Sequence, residues 1–115
     1  MLDQFSRNLY RNDARAFLYD GMALVLAQEA LPYSEELTVI ERSFLYMPFM
    51  HSESLTIHQA AEKLFFEPGM EKRAKYEKMH REIIEQFGRY PHRNEILGRK
   101  STEKELEFLR NHSGF

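Results

Sequence analysis

"EPGMEKRAKYEKMHREIIEQFG", residues 67 to 88, decides the fold. After Pro68 and Gly69 no helix breaker interrupts the chain until Gly88. Met79, Ile83 and Phe87 recur every four residues, with Tyr76 and Ile84 beside them, which is the spacing of one helical face. Gly88 stands where a left-handed C-terminal cap belongs. The pattern predicts a helix over residues 70 to 87.

The same reading extends in both directions. Upstream, a helix opens after Ser52, buries Ile57, Ala61, Leu64 and Phe65, and stops at "EPG". Before it, a helix follows Ser34 with Glu35 and Glu36 in its first turn, where the helix dipole favours them. Leu37, Ile40, Phe44 and Met47 form its expected buried stripe, and Pro48 ends it. The first helix spans residues 14 to 31, between an Asp13 cap and Pro32, and buries Phe17, Leu18, Leu24, Val25 and Leu31. Gly21 within it costs about 1 kcal/mol relative to Ala, and Asp20 offers an alternative start there. Downstream, "STEKELEFLRN", residues 101 to 111, carries a capping box in Thr102 and Glu105, with Leu106 and Leu109 directed inward. No strand-like alternation persists anywhere. Helices joined by short connections imply one all-α domain over residues 1–115, built of antiparallel helical hairpins in a tetratricopeptide-like array.

Composition narrows the function classes. A chain of 115 residues with 43% hydrophobic and 30% charged residues is one soluble-type domain with one core. The absence of cysteine excludes disulfides, thiolate catalysis and thiolate metal sites. "MLDQFSRNLYRND" lacks the apolar run of a signal peptide, and "MALVLAQEAL" is too short to span a bilayer, so a cytoplasmic protein without membrane contact is expected. Neither a Gly-x-Ser-x-Gly elbow nor a Walker or dinucleotide loop is present. Glu77 and His80 form one Glu-x-x-His pair, but di-iron chemistry needs two such pairs with further carboxylates. No metal and no cofactor are expected.

The net charge of −2 is unevenly spread. Residues 88 to 100 hold Arg89, Arg93, Arg99 and Lys100 against Glu95, a local +3, which leaves −5 for the rest. A basic spot of this size suits a small anion and is too small for a duplex-DNA footprint; weak RNA binding, with Tyr10, Phe87 and Tyr90 near arginines stacking bases, is the less favoured alternative. Near the start, Arg7, Arg11 and Arg15 stand four apart. Guanidinium forks take phosphate or carboxylate bidentately. The competing reading is structural: Arg89, Arg93, Asn94 and Arg99 tie down a loop shaped by Gly88, Pro91 and Gly98, in which Pro91 opens a turn anchored by Ile96 and Leu97.

The motifs "LDQFSRNLYR", "RAFLYD", "FLYMPFMHSE" and "FGRYPHRNEILGR", followed by "STEKELEFL", resemble in this order the bacterial domain-of-unknown-function family 924. The resemblance implies an all-helical, tetratricopeptide-like protein with no established activity. Its shared positions are Asp3, Gln4, Phe5, Arg7, Asn8, Arg11 and Arg15 near the start, His51, Ser52 and Glu53 in the middle, and Phe87, Gly88, Arg89, Pro91, His92, Arg93, Asn94, Leu97, Gly98, Arg99 and Ser101 near the end, with polar and charged residues dominant. Two departures stand out. Ser6 replaces the usual Pro, and the Trp-containing segment that precedes "LDQF" in the family is missing, so this chain is expected to be the C-terminal part of the longer family domain. Helices left uncovered by that segment are expected to self-associate.

The expected ligand is an anionic small molecule or acidic peptide. Arg7, Asn8, Arg11, Arg89, His92, Arg93, Asn94 and Arg99 are the candidate binding residues. His51, Glu53 and His92 are candidates for proton transfer, because histidine titrates near neutral pH. Two further readings stand beside this one: a protein–protein scaffold whose polar motifs are loop locks, and a hydrolase or transferase acting on a phosphorylated metabolite.

Overall fold

The computed structural model describes residues 14–17 and 19–112, and among them every regular element is helical, as the all-α expectation requires. A 3-10 turn at Ala14–Phe17 leads to α1 (Asp20–Ala30), a second 3-10 segment (Leu31–Glu36), α2 (Val39–Leu45), the short α3 (Met47–Met50), α4 (Leu55–Leu64) and α5 (Glu71–Phe87). A third 3-10 turn, Pro91–Arg93, precedes α6 (Glu103–Asn111).

α4 and α5 pack on each other across the connection at residues 65 to 70, while α3 touches α1, α4 and α5. That single turn is the centre of the main core. Phe49 and Met50 from α3 are buried with Tyr46, Ala27, Ala61 and Phe65, and Tyr46 meets Phe65 edge to face at 5.8 Å. A second cluster joins Ile83, Ile84 and Tyr90 to Phe87 and Phe108, fastening the C-terminal part to the end of α5.

Local signals explain most boundaries. Gly88 closes α5 at φ 74, a left-handed conformation that only glycine adopts without strain. Thr102 and Glu105 form the expected capping box at α6. The α2 start differs from expectation. Pro32 lies in the first turn of the 3-10 segment, which carries the chain past Ser34, so Thr38 with Glu41 supplies the capping box instead. Ser54, not Ser52, caps α4, because the Ser52 hydroxyl accepts a hydrogen bond from the Ser54 amide at 3.1 Å. Pro48 does not stop the chain. It occupies the first turn of α3, where its missing N–H has no intrahelical partner to lose. α1 begins at Asp20, the alternative start, with Tyr19 at the cap position.

Burial departs from the expected stripes in a consistent way. Ile40 is 70% exposed, and Val25, Met79 and Leu106 also face outward. α1 buries Ala23 and Ala27 instead, letting neighbouring helices approach closely. α5 and α6 bury Glu77, His80 and Glu105. The apolar residues Met22, Val25 and Leu26 remain as an exposed face of α1.

A candidate ligand cavity and its clasp

Three stretches converge beside α3: the start of α1, residues 51 to 53, and the turn at Pro91–Arg93. Between them lies a cavity of about 260 Å³ lined by Phe17, Asp20, Gly21, Leu24, Pro48, His51, Ser52, Glu53, Arg93 and Leu97. One wall is apolar and the other carries charge.

Glu53 is the anchor of the charged wall. Arg99 grips it with two parallel bonds, Nη1 to Oε1 at 3.0 Å and Nη2 to Oε2 at 2.9 Å. The Tyr90 amide donates to Oε2 at 2.8 Å. Burial alone would raise the Glu53 pKa, but the Arg99 and Tyr90 hydrogen bonds and the nearby Arg93 charge outweigh it and hold the group below the usual carboxylate range. Arg99 Nε donates to the Asn94 side-chain oxygen at 3.0 Å. Asn94 is buried and donates in turn to Ser101 at 3.0 Å and to Glu105 at 3.4 Å. Arg89 closes the chain of contacts with a fork onto Glu105, at 2.9 and 2.8 Å, and a bond to the Lys100 carbonyl. The fork draws the Glu105 pKa down to about 2, aided by the Thr102 amide and Asn94 and opposed by burial. Arg89, Asn94 and Arg99 thus clasp residues 88 to 105 to one another and to the loop before α4.

Arg93 is placed differently. Its side chain is 14% exposed, and Nη1 lies 3.9 Å from Asp20 and 4.0 Å from Glu53. Nη2 donates to the His51 carbonyl at 2.8 Å. The guanidinium lies over the Phe17 ring at 4.5 Å and the Tyr90 ring at 4.7 Å, contacts that hold a planar cation in a fixed orientation. His51 and Glu53 line the same cavity. His92 does not: it meets the Phe108 ring edge to face and the His112 ring at a tilt, and its ring nitrogen Nε2 lies 3.2 Å from the His112 carbonyl. Burial lowers its pKa, with that carbonyl opposing. Arg7, Asn8 and Arg11 fall outside the described residues.

Behind the cavity lies a buried polar cluster that the sequence reading missed. His58 and Glu77 are both buried, with Nδ1 and Oε1 2.7 Å apart. His58 Nε2 lies 2.6 Å from the Ser52 carbonyl, an acceptor only, so Nε2 carries a proton. The Tyr90 hydroxyl donates to the Met50 carbonyl at 2.7 Å, and therefore accepts from Nε2 at 2.9 Å. One proton remains between Nδ1 and Oε1, and the pair is neutral overall whichever atom holds it. Burial raises the Glu77 pKa against the pull of His58 and Arg81. The cluster brackets residues 51 and 52 from behind, because the carbonyls of Met50 and Ser52 are both held. A signal for it existed: His58 shares the buried stripe of Ala61 and Phe65, at +3 and +7. Glu77 and His80 share a helix, but not a ligand set. His80 is hydrogen-bonded to the Tyr76 carbonyl at 2.7 Å, and among the described residues no group of three or more metal-binding side chains gathers.

These groups predict acid unfolding in two limbs. Burial pushes the His80 pKa from 6.5 down to about 4, against the Tyr76 hydrogen bond. Between those values the unfolded chain binds a proton that the folded one does not, so stability falls as pH drops from 6.5 to 4. Glu105 has the other origin: its contribution is present above 4.5 and is lost as pH falls towards 2, and Glu53 acts in the same direction. Glu77, with its raised pKa, binds its proton in the folded chain above 4.5 and so partly offsets the upper limb. Urea denaturation across pH should show the upper limb shrink in His80→Gln, with the lowered pKa of His92 supplying the remainder, and the lower limb shrink in Glu105→Gln. Stability unchanged between pH 6.5 and 5 would contradict a neutral buried His80.

The fold has a counterpart among solved structures. A comparison with curated proteins gives no match. The solved structure of a protein of unknown function, ATU0120 from Agrobacterium tumefaciens, is similar with a TM-score of 0.90 at 36% identity, over 96% of this chain. The chain spans 64% of that one. A family model described as bacterial protein of unknown function (DUF924) matches residues 1–113. The clasp residues and the cavity wall all lie within that match, and the protein belongs to this bacterial family of unknown function.

Proposed function

We propose that this all-helical protein, a single domain built as a tetratricopeptide-like array, binds a small molecule carrying an anionic group in the cavity beside Arg93, in the cytoplasm. The observation that carries the reading is Gly21. It sits in the first turn of α1, with no left-handed φ to require glycine, and a Cβ added there meets no atom of the described residues within 4 Å. Among the described residues neither backbone conformation nor packing calls for glycine, which costs a helix up to about 1 kcal/mol relative to Ala. It leaves the cavity wall open. A stability cost at a cavity wall suggests selection for a space kept free.

Arg93 supplies the contact for the anionic group, and His51, which lines the same cavity, is the neighbouring candidate for proton transfer. Arg89, Asn94 and Arg99 act as the clasp that shapes the site, which absorbs the loop-lock reading. A hydrolase or transferase mechanism is less favoured. The Glu53 oxygens already accept three hydrogen bonds, and its lowered pKa makes it a weak base. The cavity, slightly below the usual volume range for drug-sized ligands, suits a metabolite better than an acidic peptide.

Self-association is a second reading, supported by the exposed face of Met22, Val25 and Leu26 at steps of three and four. No helix among the described residues is long and apolar enough to cross a membrane, so a second copy is the proposed cover for that face. Sizing with light scattering should give an oligomer that Val25→Glu dissociates. A parent that stays monomeric at high concentration removes this reading.

The cavity reading is tested by filling the space. Gly21→Ala should raise stability by about 1 kcal/mol in urea denaturation. Gly21→Leu should fold yet lose the thermal shift that the parent shows with a small-metabolite panel of carboxylates and phosphates. Equal responses from parent and Gly21→Leu would contradict the proposal.

A further inference from the structure

The exposed face of α1 has a counterpart on α5, and this step rests on the self-association reading above. Met22, Val25 and Leu26 lie on the outer side of α1, and the exposed Glu29 continues the same face one turn further on. The exposed Tyr33 extends it into the following 3-10 segment, with Glu36 three residues beyond. Residues 21 to 41 contain Glu29, Glu35, Glu36 and Glu41 but neither lysine nor arginine. The face is therefore apolar at its start and acidic at its end. Laid antiparallel over its full length on its own copy, it sets apolar side chains against carboxylates. Laid parallel, it sets carboxylate against carboxylate. Neither arrangement satisfies it.

α5 carries the complementary order. Tyr76 and Met79 stand exposed three residues apart on its outer side. Lys72 lies four residues before Tyr76, and Lys75 four before Met79, so each lysine neighbours an apolar residue on the helix surface. Between Lys72 and Arg81 the one acid, Glu77, is buried against His58. Among the described residues Lys72, Lys75 and Glu29 make no ion pair. This second face is basic at its start and apolar at its end.

We infer that the α1 face of one copy packs antiparallel on the α5 face of another. Four residues, about 6 Å of helix, separate Val25 from Glu29 and likewise Lys75 from Met79. Val25 therefore meets Met79 in the same register in which Glu29 meets Lys75, with Leu26 and Tyr76 between the two pairs. Glu82, three residues past Met79, then falls beside the first turn of α1, where the helix dipole favours an acid. The two faces are different surfaces of one chain, so the contact is either reciprocal about a two-fold axis or head to tail.

The test uses the full chain, by sedimentation velocity and light scattering, with circular dichroism to show that each variant stays helical. All the positions changed are exposed. Met79→Glu should raise the dissociation constant of the assembly at least about tenfold, as Val25→Glu does. Glu29→Lys and Lys75→Glu should each weaken association by about threefold or more. An equimolar mixture of those two variants should regain parental strength, because the introduced lysine meets the introduced glutamate and the native pair forms at the other contact. If Val25→Glu dissociates the assembly while Met79→Glu and Lys75→Glu leave it at parental strength, self-association stands through α1 alone and this inference is overturned. A mixture that stays as weak as its separate components overturns it as well. A parent that is monomeric at high concentration leaves both faces to other partners and overturns both readings.

Discussion

The Glu53 carboxylate is the constraint on which the rest of this structure depends. It receives three hydrogen bonds from residues far along the chain, two from Arg99 and one from the Tyr90 amide. Those contacts span 46 and 37 positions of sequence. They join the loop before α4 to the segment after α5, two pieces that local helix physics alone would leave independent. From that junction Asn94 and Arg89 carry the connection to Glu105 at the start of α6. The cavity exists because this clasp holds its floor and one wall in place.

A clasp made of charges is costly unless every member is satisfied, and here the partners are supplied in series. Asn94 uses its oxygen for Arg99 and its amide for Ser101 and Glu105, so a buried side chain has no idle polar atom. Arg89 takes both Glu105 oxygens and a backbone carbonyl. The fork geometry is what arginine provides and lysine does not. Behind it, His58, Glu77 and Tyr90 direct each proton at a fixed acceptor, while the buried Glu77 Oε2 accepts no hydrogen bond and faces the Arg81 guanidinium at 3.6 Å. The two networks meet at Tyr90, whose amide serves Glu53 and whose hydroxyl serves the His58 cluster.

Helical class, the Gly88 cap and the Thr102 capping box were legible because each depends on neighbours within four positions. Burial was less legible. α2 spans seven residues, and so few positions cannot set which face turns inward: Ile40 falls on the outside while Ser43 goes in. Glu77, Asn94 and Glu105 were invisible as interior residues because polarity reads as exposure unless the partner is known, and His58 was signalled only by its place on the stripe of Ala61 and Phe65. For Glu53 that partner lies 46 positions away. The same distance explains why the arginine-rich loop read equally well as site or lock. Its residues divide: Arg89 and Arg99 hold carboxylates directly, His92 joins a cluster of rings with Phe108 and His112, and Arg93 with His51 and Glu53 lines the cavity. Asp20 and Gly21 drew notice only as a helix start, since nothing local shows that they border an open space.

A double-mutant cycle on Glu53 and Arg99 tests the central claim most directly. Glu53→Gln, Arg99→Met and the double variant would be compared with the parent by urea denaturation at neutral pH. A partly buried, bidentate pair that organises two distant segments predicts a coupling energy above about 1 kcal/mol, with the double variant losing far less than the sum of the single ones. Coupling within about 0.3 kcal/mol of zero, the value for independent sites, would mean that the fork merely decorates a loop held by other forces.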